Sequence, residues 1–260
     1  MTLQALIFDV DGTLADTERD GHRVAFNLAF ADAGLDWDWT EEMYGQLLRV
    51  TGGKERILFY LDRFNRCFER PARLDAFIAE LHAAKTAHYA RLLTEGRIPL
   101  RPGVARLLDE ARAAGLRLAI ATTTTPLNVS ALLDSTLGPQ AKDWFEVIAA
   151  GDIVPAKKPA PDIYLWAMRQ MGLEPEQCLA FEDSDNGLRS ALDAGIKALL
   201  VTVNDYTRQQ DFSGASLVLD QLGEPGQPAQ VLAGAGLGLG YVDLQALREL
   251  HQMAYCATAA

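Results

Sequence analysis

Acidic residues, a run of threonines and a lysine stand where their chemistry can converge. Asp9-Val10-Asp11-Gly12-Thr13 directly follows the apolar run Leu3–Phe8, and Glu182-Asp183-Ser184-Asp185 follows Cys178–Phe181. Thr122-Thr123-Thr124-Thr125 follows the run ending at Ala121, and Lys157-Lys158-Pro159 comes shortly after the one ending at Ala150. In an open α/β sheet, ligands bind at the carboxyl ends of the strands. If these runs are neighbouring strands, the residues after them share one edge. Acidic groups gathered there repel one another unless a cation joins them. A hard cation such as Mg2+ takes oxygen ligands and keeps waters that a substrate phosphate can replace. The hydroxyl and the lysine suit phosphate oxygens. One carboxylate can then act as nucleophile and another as general acid/base. Gly12 lets the backbone turn closely around the substrate. The residues alone point to Mg2+-assisted phosphoryl transfer through an aspartyl phosphate.

The elements that must position these groups are legible in outline. Leu3–Phe8 reads as a strand buried on both faces. From about residue 18 to 94 only helical patterns follow, with starts at Thr40-Glu41-Glu42, after Gly53 and at Pro71. From Arg101-Pro102-Gly103 onward helices and strands alternate. Strands are expected at Leu116–Ala121, Val147–Ala150, Cys178–Phe181 and Ala198–Val201, with helices between them ending at Gly115, Gly172 and Gly195. This alternation predicts a parallel sheet covered by helices on both faces. The helical stretch is then an insertion after the first strand. The expected domains are residues 1–16 with 95–260, and 17–94. Residues 223–240, rich in Gly, Ala and Pro, read as a loose connection before a last helix over Asp243–Met253. The run Gly234–Gly240 lacks the strand–loop–helix unit of a dinucleotide loop.

Composition narrows the function classes. The chain has 260 residues, of which 49% are hydrophobic and 23% charged, as in an ordinary globular protein. Lys and Arg total 24 against 35 Asp and Glu, a formal charge of −11, which argues against nucleic acid or an anionic membrane as main partner. Cys67, Cys178 and Cys256 form neither a disulfide framework nor a zinc motif, and read as packing residues in a reducing compartment. With no leader pattern and no apolar stretch of membrane-spanning length, the expectation is a cytoplasmic protein; the sequence leaves the oligomeric state open, with a monomer the first expectation.

The four clusters, in this order, resemble the motifs of the haloacid dehalogenase superfamily of aspartate-nucleophile phosphatases. The resemblance rests on Asp9-Val10-Asp11-Gly12-Thr13, Thr122 after an apolar strand, Lys158-Pro159, and Glu182-Asp183. It implies a Rossmann-like α/β core with a small helical cap inserted after the first strand. It also implies roles. Asp9 is the nucleophile and a Mg2+ ligand. Asp11 is the acid/base and a ligand through its carbonyl. Asp183 is the second carboxylate ligand, with Glu182 ligating through water or orienting that ligand. Thr122 and Lys158 hold the transferring phosphoryl group, with Thr123 beside them; Thr122 also reads as a helix cap. Ser184 and Asn186 stand behind the site.

A closer similarity, to the CbbY-type branch, runs through Asp16–Asn27, Thr51–Ile57, Ala121–Thr124 and Gly151-Asp152. It implies a sugar-phosphate phosphatase with xylulose 1,5-bisphosphate as substrate, in the setting of the Calvin–Benson cycle. β-Phosphoglucomutases and phosphoglycolate phosphatases are near relatives, so a phosphomutase and a phosphoglycolate phosphatase stay open. So, from another class, does a non-catalytic phosphometabolite-binding module. A bisphosphate needs donors for its second phosphate. Gly52-Gly53-Lys54-Glu55-Arg56 offers backbone N–H groups at a helix start and two cations. Glu18 and His22 are expected to bind sugar hydroxyls or mediate proton transfer. His82, His88 and His251 read as structural, and Trp37 and Trp39 as cap packing.

Overall fold

A computed structural model describes every residue except 1, 51, 235, 237, 239 and 257–260. Thr51 and three residues of the Gly/Ala-rich run therefore lie outside the described residues, as does the side chain of Cys256. The chain forms two compact units, Met1–Asp16 with Pro99–Ala260, and Thr17–Ile98.

The larger unit is built on one sheet. Its strands are β1 (Ala5–Phe8), β2 (Arg117–Thr122), β3 (Phe145–Ala150), β4 (Cys178–Glu182), β5 (Leu199–Thr202), β6 (Leu217–Leu219) and β7 (Val231–Gly234), in the order β3-β2-β1-β4-β5-β6-β7. All neighbours are parallel except β6 and β7. β1, β4 and β5 are buried along their whole length, which is why the sequence shows continuous apolar runs rather than alternation. Register then decides where the chemistry falls. Phe8 pairs with both Ile120 and Phe181, so the residues after β1 and β4 emerge at one level. The Asp9 N–H donates to the Phe181 carbonyl at 3.0 Å. The strand order reverses beside β1, where ligands of open α/β sheets bind.

Helices α5 (Val104–Ala113), α6 (Pro126–Leu137), α7 (Asp162–Met171), α8 (Asp185–Asp193) and α9 (Leu244–Cys256) complete the unit. α7 and α8 bury Ile163, Tyr164, Ala167, Leu188 and Ala191 in one apolar cluster with the β1, β2 and β4 side chains. Ser184 Oγ caps α8 by accepting from the Gly187 N–H at 3.2 Å.

In the smaller unit a π-helical turn, Thr17–Arg23, runs into α1 (Val24–Asp32), followed by α2 (Glu41–Leu47), α3 (Gly53–Arg63) and α4 (Leu74–Thr94). Its core is aromatic. The fully buried Trp39 ring lies 4.6 Å from Phe26 and 4.8 Å from Phe30, and Trp37 packs on Phe30 and Phe68. Asn27 clamps the Trp39 backbone through both its amide atoms.

The structure corrects several expectations. The stretch 223–240 is not only a connection: Val231–Gly234 pairs antiparallel with β6. Strand pairing is made by the backbone, so Ala and Gly can supply it without an apolar pattern. Pro71 precedes a turn at residues 72–73, and α4 starts only at Leu74. Cys67 is exposed rather than packed, while Cys178 is buried. Burial pushes the Cys178 thiol up to about 12, so it is inert at neutral pH. No described helix is long and apolar enough to cross a membrane.

Candidate active site

The turn after β1 is held by its own backbone. The Leu14 N–H donates to the Val10 carbonyl at 2.9 Å and the Gly12 N–H to the Ala15 carbonyl at 2.7 Å. Gly12 has φ +86°, and a Cβ there would overlap the carboxylate of Asp183 and the amide of Asn204. The missing side chain thus makes room for Asp183 and Asn204. The buried Arg101 guanidinium donates to the carbonyls of Gly12, Thr202 (3.0 Å), Val203 (2.6 Å) and Asp220 (2.6 Å).

Asp9, Asp11, Thr123, Lys158, Glu182 and Asp183 line one cavity of about 200 Å³, with Ser184, Asn186 and Gly187. Of the threonine run it is Thr123 that reaches this cavity. Thr122 is buried, and its Oγ1 accepts from the Thr124 N–H at 3.2 Å. Thr122 does not cap α6; Thr125 does, accepting from the Asn128 N–H. Four identical residues in a row conceal where the strand stops and the helix begins. Lys157 pairs with Asp152 in the open, and Asp185 with Arg189.

Lys158 Nζ donates to Asp9 Oδ1 at 2.7 Å and to Glu182 Oε1 at 2.5 Å. Burial draws its pKa down, but Asp9 and Glu182 outweigh that and hold it above the ordinary lysine value. One cation does not balance this many carboxylates. Burial and the charge of Asp9 push Glu182 up to about 7 against the pull of Lys158 and Tyr164. Burial, Asp9 and Glu182 drive Asp183 well above the ordinary aspartate value. Asn204 opposes this by donating from Nδ2 to Asp183 Oδ2 at 2.8 Å. The Tyr206 N–H on Asn204 Oδ1 sets that orientation.

The donor set fits a hard cation. One carboxylate oxygen from each of Asp9, Glu182 and Asp183 lies within 4.8 Å of the other two. Glu182 Oε2 is buried with no protein partner, and Gly187 lacks the Cβ that would overlap it. With oxygen donors and no sulfur or imidazole, the set suits Mg2+.

A pH dependence results. Without metal, folded Glu182 keeps its proton from the usual 4.5 up to about 7 while the unfolded chain loses it, so stability falls as pH rises through that window. A Mg2+ ion held by these carboxylates would need them ionised, so its binding would strengthen over the same range. We expect saturating Mg2+ to raise the melting temperature by several degrees at pH 8 and by clearly less at pH 5, since ligand at 100 times Kd adds about 2.7 kcal/mol. Equal shifts at both pH values, or the same shift in Asp183→Asn, would refute the carboxylate cradle.

The smaller unit holds a separate polar cluster, carried by the π-helical turn, a feature frequent at functional sites. Tyr44 Oη donates to Glu18 Oε2 at 2.6 Å, and Arg56 Nη1 donates to Tyr44 Oη at 2.8 Å. Burial raises the Glu18 carboxyl, but His22, Arg56, Tyr44 and Lys85 bring it below its ordinary value. Lys85 Nζ lies 2.8 Å from His22 Nδ1. An ammonium only donates, so His22 Nδ1 accepts and Nε2 carries the proton. Burial lowers His22 to about 3; Glu18 opposes this, and Lys85, Arg56 and His82 add to it. At working pH the ring is therefore neutral, with its proton on Nε2. Lys54 is exposed at the start of α3, whereas Arg56 is buried against Tyr44 and the Val50 carbonyl. Gly52 has φ +95°, and a Cβ on Gly53 would come within 2.5 Å of the His82 ring. His88 pairs with Asp32, and His251 with the Glu176 carbonyl.

Sequence reasoning missed Tyr44, Lys85, Arg101, Tyr164 and Asn204. Two had a signal. Asn204 lies just past β5, at the edge already searched for the other strands, and Lys85 interrupts the apolar stripe of Leu81 and Tyr89.

Residues 3–195 match the family model for haloacid dehalogenase-like hydrolases. The chain is 50% identical over 250 residues to the CbbY protein encoded on a plasmid of Cupriavidus necator, covering 96% of this chain and 97% of that one. Two crystal structures of CbbY from Rhodobacter sphaeroides superpose on it. The complex with phosphate is 50% identical, with a TM-score of 0.70 and coverage of 84% of this chain and 94% of that one. A mutant in complex with xylulose-(1,5)bisphosphate is 49% identical, with a TM-score of 0.71 and coverage of 86% and 96%. With its four motif clusters converging on one acidic cavity, the chain belongs to the haloacid dehalogenase-like hydrolases, and among them it is a phosphatase.

Proposed function

We propose that this phosphatase is Mg2+-dependent and removes the 1-phosphate of xylulose 1,5-bisphosphate, leaving xylulose 5-phosphate, through a phosphoenzyme on Asp9. The observation that carries the chemistry is the pair Asp9 and Asp11 lining one cavity with the buried Lys158. An Asp9 carboxylate oxygen attacks phosphorus as the ester P–O bond breaks. Asp11, protonated, gives its proton to the leaving sugar oxygen. Asp11 then takes a proton from water, whose oxygen attacks the same phosphorus. The bond to Asp9 breaks, inorganic phosphate leaves and Asp9 is restored. Lys158 and the Thr123 hydroxyl hold the phosphoryl oxygens. Mg2+, held by Asp9, Glu182 and Asp183, would add positive charge at those oxygens.

The substrate assignment rests on the similarity to a protein that binds xylulose 1,5-bisphosphate and on what the smaller unit offers. There the α3 N-terminus at Gly52-Gly53 and the Lys54 cation suit a second phosphate. Glu18 and the neutral His22 suit sugar hydroxyls, with Arg56 orienting Glu18 through Tyr44. On this reading the larger unit is a catalytic core and the smaller one a cap.

The test is phosphate release with Mg2+ from xylulose 1,5-bisphosphate, ribulose 1,5-bisphosphate, phosphoglycolate and β-glucose 1-phosphate. The expected kcat/KM for the xylulose bisphosphate exceeds the others by at least about tenfold: phosphoglycolate and β-glucose 1-phosphate lack the second phosphate, and ribulose 1,5-bisphosphate presents its C3 hydroxyl in the opposite configuration to the groups that hold the sugar. Preference for another phosphate overturns the substrate. Isomer conversion without release would make the chain a mutase, and no turnover at all would leave a binding module.

A further inference from the structure

We propose that Tyr164 is a positioning residue for the metal-assisted reaction: its hydroxyl decides which oxygen of Glu182 is left without a protein partner. The inference rests on the reading of Asp9, Glu182 and Asp183 as metal ligands. Tyr164 lies on the buried face of α7, and its ring is fully buried. Its Oη donates to Glu182 Oε1 at 2.5 Å, and Lys158 Nζ donates to the same oxygen at 2.5 Å. Lys158 Nζ also sits 5.1 Å from the centre of the Tyr164 ring.

Both donors converge on Oε1, so Oε2 has no protein partner, though it is buried. Leaving a buried charged oxygen unmatched is costly. Gly187 keeps open the space beside that oxygen. Lys158 alone does not fix this orientation, because its flexible ammonium is shared with Asp9 Oδ1 at 2.7 Å. The phenol has two torsions, both locked by packing, and points at one oxygen only. A carboxylate held this way cannot turn over without breaking both hydrogen bonds. The arrangement is that of an outer group aiming a metal ligand, where substitution typically weakens metal binding about 10–100-fold.

Tyr164→Phe keeps the ring and deletes only the hydroxyl. Mg2+ binding is measured by calorimetry without substrate, beside melting curves and Mg2+ activation profiles. The expected result is a Mg2+ dissociation constant raised about tenfold or more, with KM for the sugar phosphate unchanged at saturating Mg2+. Tyr255→Phe is the control. Its hydroxyl donates to the Pro175 carbonyl and accepts from the Lys197 N–H, away from the cleft, so its loss lowers melting without touching Mg2+ affinity. Wild-type Mg2+ affinity in Tyr164→Phe overturns the inference, whatever its melting temperature. If Tyr164→Phe does not fold, Gly187→Ala crowds Oε2 from the other side and carries the same expectation; unchanged affinity there overturns it equally. If the wild type binds Mg2+ no better than Asp183→Asn, the metal reading itself is wrong and the inference falls with it, an outcome visible before any Tyr164 variant is made.

Discussion

Replacing Asp9 by Asn lowers phosphate release by on the order of 10⁴-fold or more, the scale expected when a nucleophile that forms a covalent intermediate is lost. The amide nearly matches the carboxylate in shape, so the turn after β1 keeps its backbone bonds. Stability moves the other way. Asp9 raises the pKa of both Glu182 and Asp183, which means that its charge is repelled by theirs. Removing it relieves that repulsion, while Lys158 keeps Glu182 as a partner at 2.5 Å. In the absence of Mg2+ the variant therefore melts no lower than the wild type, a case of function held at the expense of stability. A phosphate-release assay and melting curves on the same preparations check both parts. Activity within tenfold of wild type sinks Asp9 as nucleophile. A large drop in melting temperature would mean that the Lys158–Asp9 contact outweighs the crowding.

Lys158→Met is the second large effect, and here function and stability fall together. The lysine is nine-tenths buried and bridges Asp9 and Glu182, and breaking a buried pair from one side typically costs about 3–5 kcal/mol. The sign with pH is fixed by linkage. Lys158 is what pulls Glu182 down toward about 7, so without it the carboxyl climbs further. The window in which the folded state keeps a proton that the unfolded chain has lost then widens upward. The loss of melting temperature is accordingly larger at pH 8 than at pH 5, and Mg2+ recovers part of it. Turnover falls about 10³-fold, because a donor aimed at the phosphoryl oxygens is gone. Melting at both pH values, with and without Mg2+, and kcat at saturating Mg2+ decide the matter. A variant as stable at pH 8 as at pH 5 would show that the lysine does not neutralise this cluster.

The sequence was legible where residue character changes abruptly. Ile7-Phe8 into Asp9, and Ala180-Phe181 into Glu182-Asp183, each mark a buried strand ending at a polar edge, and parallel register carries both ends to one level. The partners that hold these groups are another matter. Tyr164 looks like an ordinary core aromatic on an amphipathic helix; its meaning depends on Glu182 lying beneath it. Tyr44 and Arg56 likewise become a relay to Glu18 only once α2, α3 and the π-helical turn pack together. β7 escaped because Val-Leu-Ala-Gly owes its pairing to backbone geometry and not to side chains.

The Arg101 guanidinium joins carbonyls far apart in the chain, from Gly12 to Asp220. Asn204, which steadies Asp183, also comes late. During synthesis the first motif leaves the ribosome long before the segments that brace it. A nascent chain that has reached residue 195 carries all four motif clusters and still lacks the brace, and contacts so distant in sequence close late in folding. The braces on Gly12 and Asp183 are thus completed only when the far edge of the sheet has been laid down.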